Sequence, residues 1–158
     1  SFSAADELDD RIDALYEEEL RDLFLWLHQN PELSHMEHKT SERLASELEG
    51  LGYDVHTGIG GTGIVALLEN GEGPLVMLRA DMDGLPVEEK SGLPYASTAK
   101  QVDWDGNEVF VMHACGHDVH VTSLVGTARI MAERRDQWQG TLMLIGQPAE
   151  ERVGGASW

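Results

Sequence analysis

The chain has 158 residues, about one domain's length, and enough to bury a core without disulfide or metal staples. Hydrophobic residues make up 41%, which argues for a folded chain, yet no run approaches the roughly 20 apolar residues of a membrane span. Twenty-nine acids against 11 bases give a formal net charge of −18, which argues against nucleic acid and anionic membranes as partners. Lys39, Lys90 and Lys100 are the only lysines; the charge fits either an ordinary acidic protein with solvated helix faces or a surface adapted to high salt, and the scarcity of lysine favours the second. No basic segment followed by an apolar stretch opens the sequence, so no secretory leader is expected. The single cysteine, Cys115, fits a cytoplasmic protein without disulfides.

In residues 5–29, Leu8, Ile12, Leu15, Tyr16, Leu20, Leu23, Phe24 and Leu27 recur at three- and four-residue steps, the period of an amphipathic helix. Asn30-Pro31 ends it, because a residue before proline avoids helical geometry. A second helix is predicted over residues 39–51, with Leu44, Leu48 and Leu51 inward and Gly52 past its end. Residues 53–56 and 64–68 read as strands on either side of a Gly60-Gly61-Thr62-Gly63 turn. Asn70-Gly71 carries a hairpin signature. It leads into residues 75–78, an unbroken apolar run typical of a strand covered on both faces. Residues 85–107 are polar and turn-rich, a long loop or flap. Strand character returns at 109–112, and a helix is predicted over 118–133 with Val121, Leu124, Val125 and Ala128 on one face. Residues 141–145 read as another buried strand. Helices alternating with apolar strands define an α/β sandwich, its sheet mixed.

Three segments carry chemistry. The first, Met112-His113-Ala114-Cys115-Gly116-His117-Asp118, lies where a predicted buried strand gives way to a helix. Cys115 and His117 flank a glycine, so a sharp turn aims both at one point, and a thiolate with an imidazole suits zinc or a similar divalent transition metal. His120 follows one helical turn after His117, and Asp118 is placed to cap the helix or hold an imidazole. The competing reading makes Cys115 a small core residue and the histidines the lining of a polar turn.

The second segment is Gln147-Pro148-Ala149-Glu150-Glu151, after the predicted strand 141–145. Neighbouring carboxylates point in different directions, so one can hold a metal while the other takes a proton from water. The bland alternative is a charged surface pair. The third, Arg79-Ala80-Asp81-Met82-Asp83-Gly84-Leu85-Pro86, puts an arginine and two aspartates at a strand terminus, which is costly unless they pair or orient other groups. Here the alternative is that Asp83 only caps a turn. Together, three strand ends would deliver polar groups to one edge of one sheet.

In this order the segments resemble the amidohydrolase branch of the aminoacylase-type metallopeptidases, which includes hippurate hydrolase, N-acyl-amino-acid amidohydrolases, N-acetyldiaminopimelate deacetylase and auxin-conjugate hydrolases. Weaker matches at His28-Gln29-Asn30-Pro31-Glu32-Leu33-Ser34, Gly58-Ile59-Gly60-Gly61-Thr62-Gly63 and Gly154-Gly155-Ala156 extend it along nearly the whole chain. The resemblance implies an α/β three-layer sandwich with a mixed, mostly parallel sheet. It implies two divalent metal ions (zinc, manganese, cobalt or nickel) with Cys115, His117 and Glu151 as ligands. By the same resemblance, Glu150 is the general base that activates the attacking water and later protonates the leaving amine. Asp83 matches an active-site aspartate that orients a ligating imidazole. The implied substrate is a small N-acyl amino acid.

Some positions depart from the pattern. Asp81 stands where other branches place a histidine ligand, Gly146 where an aromatic residue is usual, and Trp158 in a region where methionine is frequent. Family chains are also longer. Residues 1–158 correspond to the N-terminal part of the catalytic domain, truncated before two further histidine ligands, the rest of the sheet and an inserted dimerisation domain. The expectation is metal-dependent hydrolysis of N-acyl amino acids by the family, little or no activity of this chain alone, and a homo-oligomer. The alternatives are a catalytically silent metal-binding remnant and a binding module that keeps the fold without metal.

Overall fold

A computed structural model of the chain describes residues 4–153 and 155. Residues 1–3 of the leader reading, and Gly154, Ala156 and Trp158 of the resemblance, lie outside the described residues. The first predicted helix is realised as α1 (Ala4–Leu15), a π-turn (Tyr16–Leu20) and α2 (Arg21–Gln29) in one continuous run. The wider turn shifts the helical phase, and Leu15, Leu20, Leu23 and Leu27 all end buried in the core. Asn30 closes the run: its N–H donates to Leu27 O at 3.1 Å and its side-chain amide to Trp26 O at 2.8 Å. The next helix, α3 (His38–Gly50), has no side-chain cap from its own boundary residue. Instead the Glu32 carboxylate folds back to accept the N–H groups of Lys39 and Thr40 at 3.1 and 2.8 Å, a negative charge on the positive end of a helix.

The strands are β1 (Asp54–Ile59), β2 (Gly63–Asn70), β3 (Leu75–Asp81), β4 (Lys100–Val102) and β5 (Glu108–Phe110). Helix α4 (His117–Glu133) and strand β6 (Gly140–Gln147) follow. The main sheet has the order β1-β2-β6-β3, and β4 pairs with β5 in a separate ribbon.

Three expectations are corrected here. No hairpin joins β2 to β3 through Asn70-Gly71, because β6 lies between them, antiparallel to β2 and parallel to β3. Asn70 instead donates its side-chain amide to Arg135 O and Trp138 O, both at 2.7 Å, and pins the approach to β6. The hairpin in this sheet is β1 to β2. Nor do the described residues cover β3 on both faces: Leu75, Val76, Met77 and Leu78 are 58, 52, 56 and 37% exposed, and β3 pairs there with β6 alone. Finally, the strand before Cys115 is not a buried member of the main sheet. Among the described residues β5 pairs with β4, and the segment rejoins the core through reciprocal bonds between Met112 and Leu85 at 2.9 and 3.0 Å.

The α/β class and the mixed sheet are as expected. One of the three main-sheet pairings is parallel, so the parallel majority is not reached within the described residues. The helices pack against Ile64, Ala66 and Leu68 of β2 and Leu142 and Leu144 of β6. Val65, Leu67, Met143 and Ile145 alternate with these and stay partly exposed on the other face, so the described residues supply two layers rather than three. Leu44 and Leu48 of α3 are fully buried on the packed face, each stabilising the fold by about 1.5–3 kcal/mol. A Cβ on Gly146 would lie 2.8 Å from both Leu44 Cδ2 and Met82 Sδ, so these two side-chain ends close directly over the glycine. No helix among the described residues is long and apolar enough to cross a membrane.

Candidate metal centre

Parallel neighbours end at the same edge of a sheet, and β3 and β6 do so here: Asp81 is in register with Gln147, and the Met82 N–H donates to Gln147 O at 3.0 Å. Asp81-Met82-Asp83 and Gln147-Pro148-Ala149-Glu150-Glu151 therefore emerge side by side. The third segment arrives on α4. Gly116, at φ 80, makes the sharp left-handed turn that starts the helix, and His117 is the first residue inside it.

Asp83 ties the three together. Its Oδ1 accepts the N–H of Glu150 at 3.1 Å, and its Oδ2 accepts the N–H of Glu151 at 3.0 Å and the Ser34 hydroxyl at 2.5 Å. Burial works against the Asp83 charge, but hydrogen bonds from His117, Ser34 and the Glu151 backbone outweigh it and hold the carboxyl below its ordinary value.

His117 Nδ1 lies 2.8 Å from the carbonyl oxygen of Asp83 and 3.3 Å from its Oδ1. A carbonyl only accepts, so Nδ1 carries the proton and the lone pair of the neutral ring sits on Nε2. That nitrogen faces Asp81 Oδ1 at 3.6 Å, Glu150 Oε2 at 3.7 Å and Glu151 Oε1 at 3.7 Å. Burial of His117 opposes its charge, yet the bond to Asp83 and the charge of Asp81 leave its pKa raised. Two sets of donors stand close enough to share a cation: Asp81, His117 and His120, and His117, Glu150 and Glu151. Donors about 2.1 Å from a tetrahedral cation stand roughly 3.4 Å apart, close to what is found around Nε2. Glu151 Oε1 is buried with no hydrogen-bond partner among the described residues, which is the state of a ligand atom. The residues fit a divalent transition metal.

The remaining candidates fall unevenly. Cys115 is exposed and lies outside both close sets. The neighbouring Glu151 carboxylate, then burial and the charges of Glu150 and Asp81, push its thiol up to about 11. A bound cation reverses that logic and favours the thiolate. His120 Nδ1 meets Asp81 Oδ1 at 2.6 Å, and its ring stacks on His117 with centroids 5.6 Å apart. Arg79 pairs with Asp81 at 3.3 Å and with Gln147, as a strand-end arginine should. His113 is buried with neither ring nitrogen bonded among the described residues. Asp118 does hold an imidazole, that of His28 at 2.7 Å, whose other nitrogen lies 3.1 Å from Glu89.

Sequence reasoning missed Ser34, Glu32, Glu37 and Glu89. Ser34 and Glu32 belong to the segment matched around His28, where an acid upstream of a helix could have been read as its cap. No local signal marks Glu37 or Glu89.

The parallel strands β3 and β6 thus end on an imidazole ringed by carboxylates, a donor set that suits a divalent cation. The sequence profile of peptidase family M20/M25/M40 matches residues 77–158, and the chain belongs to that family. It is 44% identical over 132 residues to an IAA-amino acid hydrolase of Arabidopsis thaliana, which is 82% of this chain and 28% of that protein. With hippurate hydrolase of Campylobacter jejuni it shares 44% identity over 131 residues, 82% of this chain and 31% of that one. A solved dinuclear metal-binding peptidase of family M20 from Bacillus subtilis matches with a TM-score of 0.79 at 36% identity, over 91% of this chain and 38% of that chain. The chain spans about a third of the length of the curated relatives it matches.

Proposed function

We propose that this chain carries part of the metal centre of an amidohydrolase that cleaves the amide bond of N-acyl amino acids. The observation that carries the reading is His117 Nε2, held between Asp81, Glu150 and Glu151 at 3.6–3.7 Å. Cys115, His117 and Glu151 hold the cations, and zinc, manganese, cobalt and nickel all suit a thiolate, imidazole and carboxylate set. When bound, two such cations would polarise the scissile carbonyl and make water more acidic. Glu150, 40% exposed, accepts the proton of the attacking water at a carboxylate oxygen and returns it to the leaving nitrogen. Asp83 keeps the His117 ring in the tautomer that leaves Nε2 free. The names of two relatives, an IAA-amino acid hydrolase and a hippurate hydrolase, favour the N-acyl amino acid as substrate.

The isolated chain binds metal but hydrolyses slowly or not at all, a reading supported by its covering about a third of those relatives. Metal analysis after reconstitution, followed by assays on N-acetyl- and N-benzoyl-amino acids, tests both halves. Absence of bound metal overturns the assignment of the centre, and brisk turnover overturns the assignment of low activity. We further propose a cytoplasmic protein suited to high salt, without nucleic-acid or membrane partners, on the strength of its net charge of −18. Self-association through the exposed edge strand β3 completes the reading.

A further inference from the structure

We infer that Glu37 is a positioning residue for the Glu150-Glu151 turn, holding Ala149 in the left-handed conformation from which both carboxylates reach His117. The inference rests on the reading of Glu151 as a metal ligand.

Ala149 has φ 52 and ψ 39, and its side chain is fully buried. That conformation costs an L-residue about tenfold in population or more, so something must hold it. The holder is Glu37, itself fully buried, whose Oε1 accepts the Ala149 N–H at 2.8 Å. Its Oε2 accepts the Thr62 hydroxyl at 2.5 Å, which fixes the carboxylate from the β1 to β2 turn.

Capping does not explain a buried acid at this position. Glu37 sits at the N-terminal boundary of α3, yet the N–H groups of Lys39 and Thr40 are taken by Glu32. The result is a run of three consecutive N–H groups, at Ala149, Glu150 and Glu151, that all end on buried carboxylates. Asp83 takes two of them and Glu37 takes the one that sets the turn. Hydrogen bonds to an ionised acceptor are about twice as strong as neutral ones, which suits a carboxylate to holding a strained residue.

The test uses the 158-residue chain titrated with zinc, together with amide hydrogen exchange. Glu37→Leu removes both acceptors, while Glu37→Gln keeps size and one acceptor. Zinc affinity is expected to fall about tenfold or more in Glu37→Leu and no more than about threefold in Glu37→Gln. Ala149→Gly removes the cost of the left-handed backbone, so in that background Glu37→Leu should weaken zinc binding by at most about threefold. Equal losses in both backgrounds would mean that Glu37 serves only the general fold, and overturn the inference. If the wild-type chain binds no zinc, the metal reading fails, and exchange still judges Glu37. The Ala149 N–H should then exchange about tenfold faster in Glu37→Leu, with the Thr40 N–H unchanged as an internal control. Should Glu37→Leu not fold by circular dichroism, Glu37→Gln is compared instead, with about threefold faster exchange expected at Ala149. Unaltered exchange at Ala149 in the folded variant overturns the proposal.

Discussion

The carboxylate of Asp83 accepts the backbone N–H of Glu151 at 3.0 Å, and through that bond the end of β3 holds the turn that follows β6. The same side chain takes the Glu150 N–H and the Ser34 hydroxyl and faces His117, so one buried acid links four parts of the chain.

Asp83→Asn replaces an acceptor for three donors with a group that itself donates. At least one N–H or O–H is then left buried and unpaired. Unfolding free energy should drop by about 2–3 kcal/mol, read from urea denaturation of the metal-free chain. A drop below about 0.5 kcal/mol would show that these bonds carry little of the fold.

Glu150 and Glu151 separate by metal binding. Glu151→Gln should weaken zinc or manganese affinity by about tenfold or more in calorimetric titration, since its Oε1, buried and without a hydrogen-bond partner among the described residues, is the ligand atom proposed above. Glu150→Gln should leave affinity within about threefold and remove whatever hydrolysis the chain shows. The reverse pattern would exchange the two roles.

His28 should leave a mark on the pH dependence of stability. Burial opposes its charge, but bonds to Asp118 and Glu89 outweigh burial and raise its pKa above the ordinary 6.5. A raised folded-state value stabilises the protein below pH 6.5, and that contribution is lost as pH climbs through the folded value. His113 acts oppositely: burial pulls it to about 4, so stability falls as the unfolded chain takes up its proton between 6.5 and 4. The difference between wild type and His28→Gln isolates the first effect. It should be largest below pH 6.5 and shrink above it, and a difference that grows with pH would contradict the assignment.

The charge of −18 predicts salt-dependent stability. Raising KCl from about 0.1 to 2 M should lift the Tm by roughly 2–8 °C, equivalent to about 1–2 kcal/mol. A flat response would mark an ordinary acidic surface.

The exposed edge of β3 predicts self-association. Sedimentation of the 158-residue chain should show species larger than the monomer, and Val76→Lys with Met77→Lys should shift them toward monomer. A monomeric wild type would remove β3 as an interface.

Much of the molecule was legible along the chain. The helices near residues 5–29, 39–51 and 118–133 followed from three- and four-residue apolar spacing, a property of neighbouring residues. Most strand positions were legible from apolar runs, but β4 (Lys100–Val102) falls inside the stretch read as a loop over residues 85–107, and strand partners were not legible. Asn70-Gly71 has hairpin composition, and only the insertion of β6 between β2 and β3 keeps it from joining them. The apolar run at Leu75, Val76, Met77 and Leu78 reads as doubly covered because hydrophobicity alone does not distinguish a central strand from an edge.

By itself the sequence determined the chemical inventory: a thiol and imidazoles around Gly116, paired acids after an apolar strand, and two aspartates at another strand end. Each is a local pattern, set by residues a few positions apart. The tertiary structure alone decided which of these groups meet. It set His117 among Asp81, Glu150 and Glu151, gave Asp118 to His28 rather than to a ligand candidate, and placed Glu37 beneath Ala149. Those pairings join residues far apart in the chain: β6 threads beside β3 and brings Asp81 and the Glu150-Glu151 turn to one sheet edge, while the packing of α2 near α4 brings His28 to Asp118.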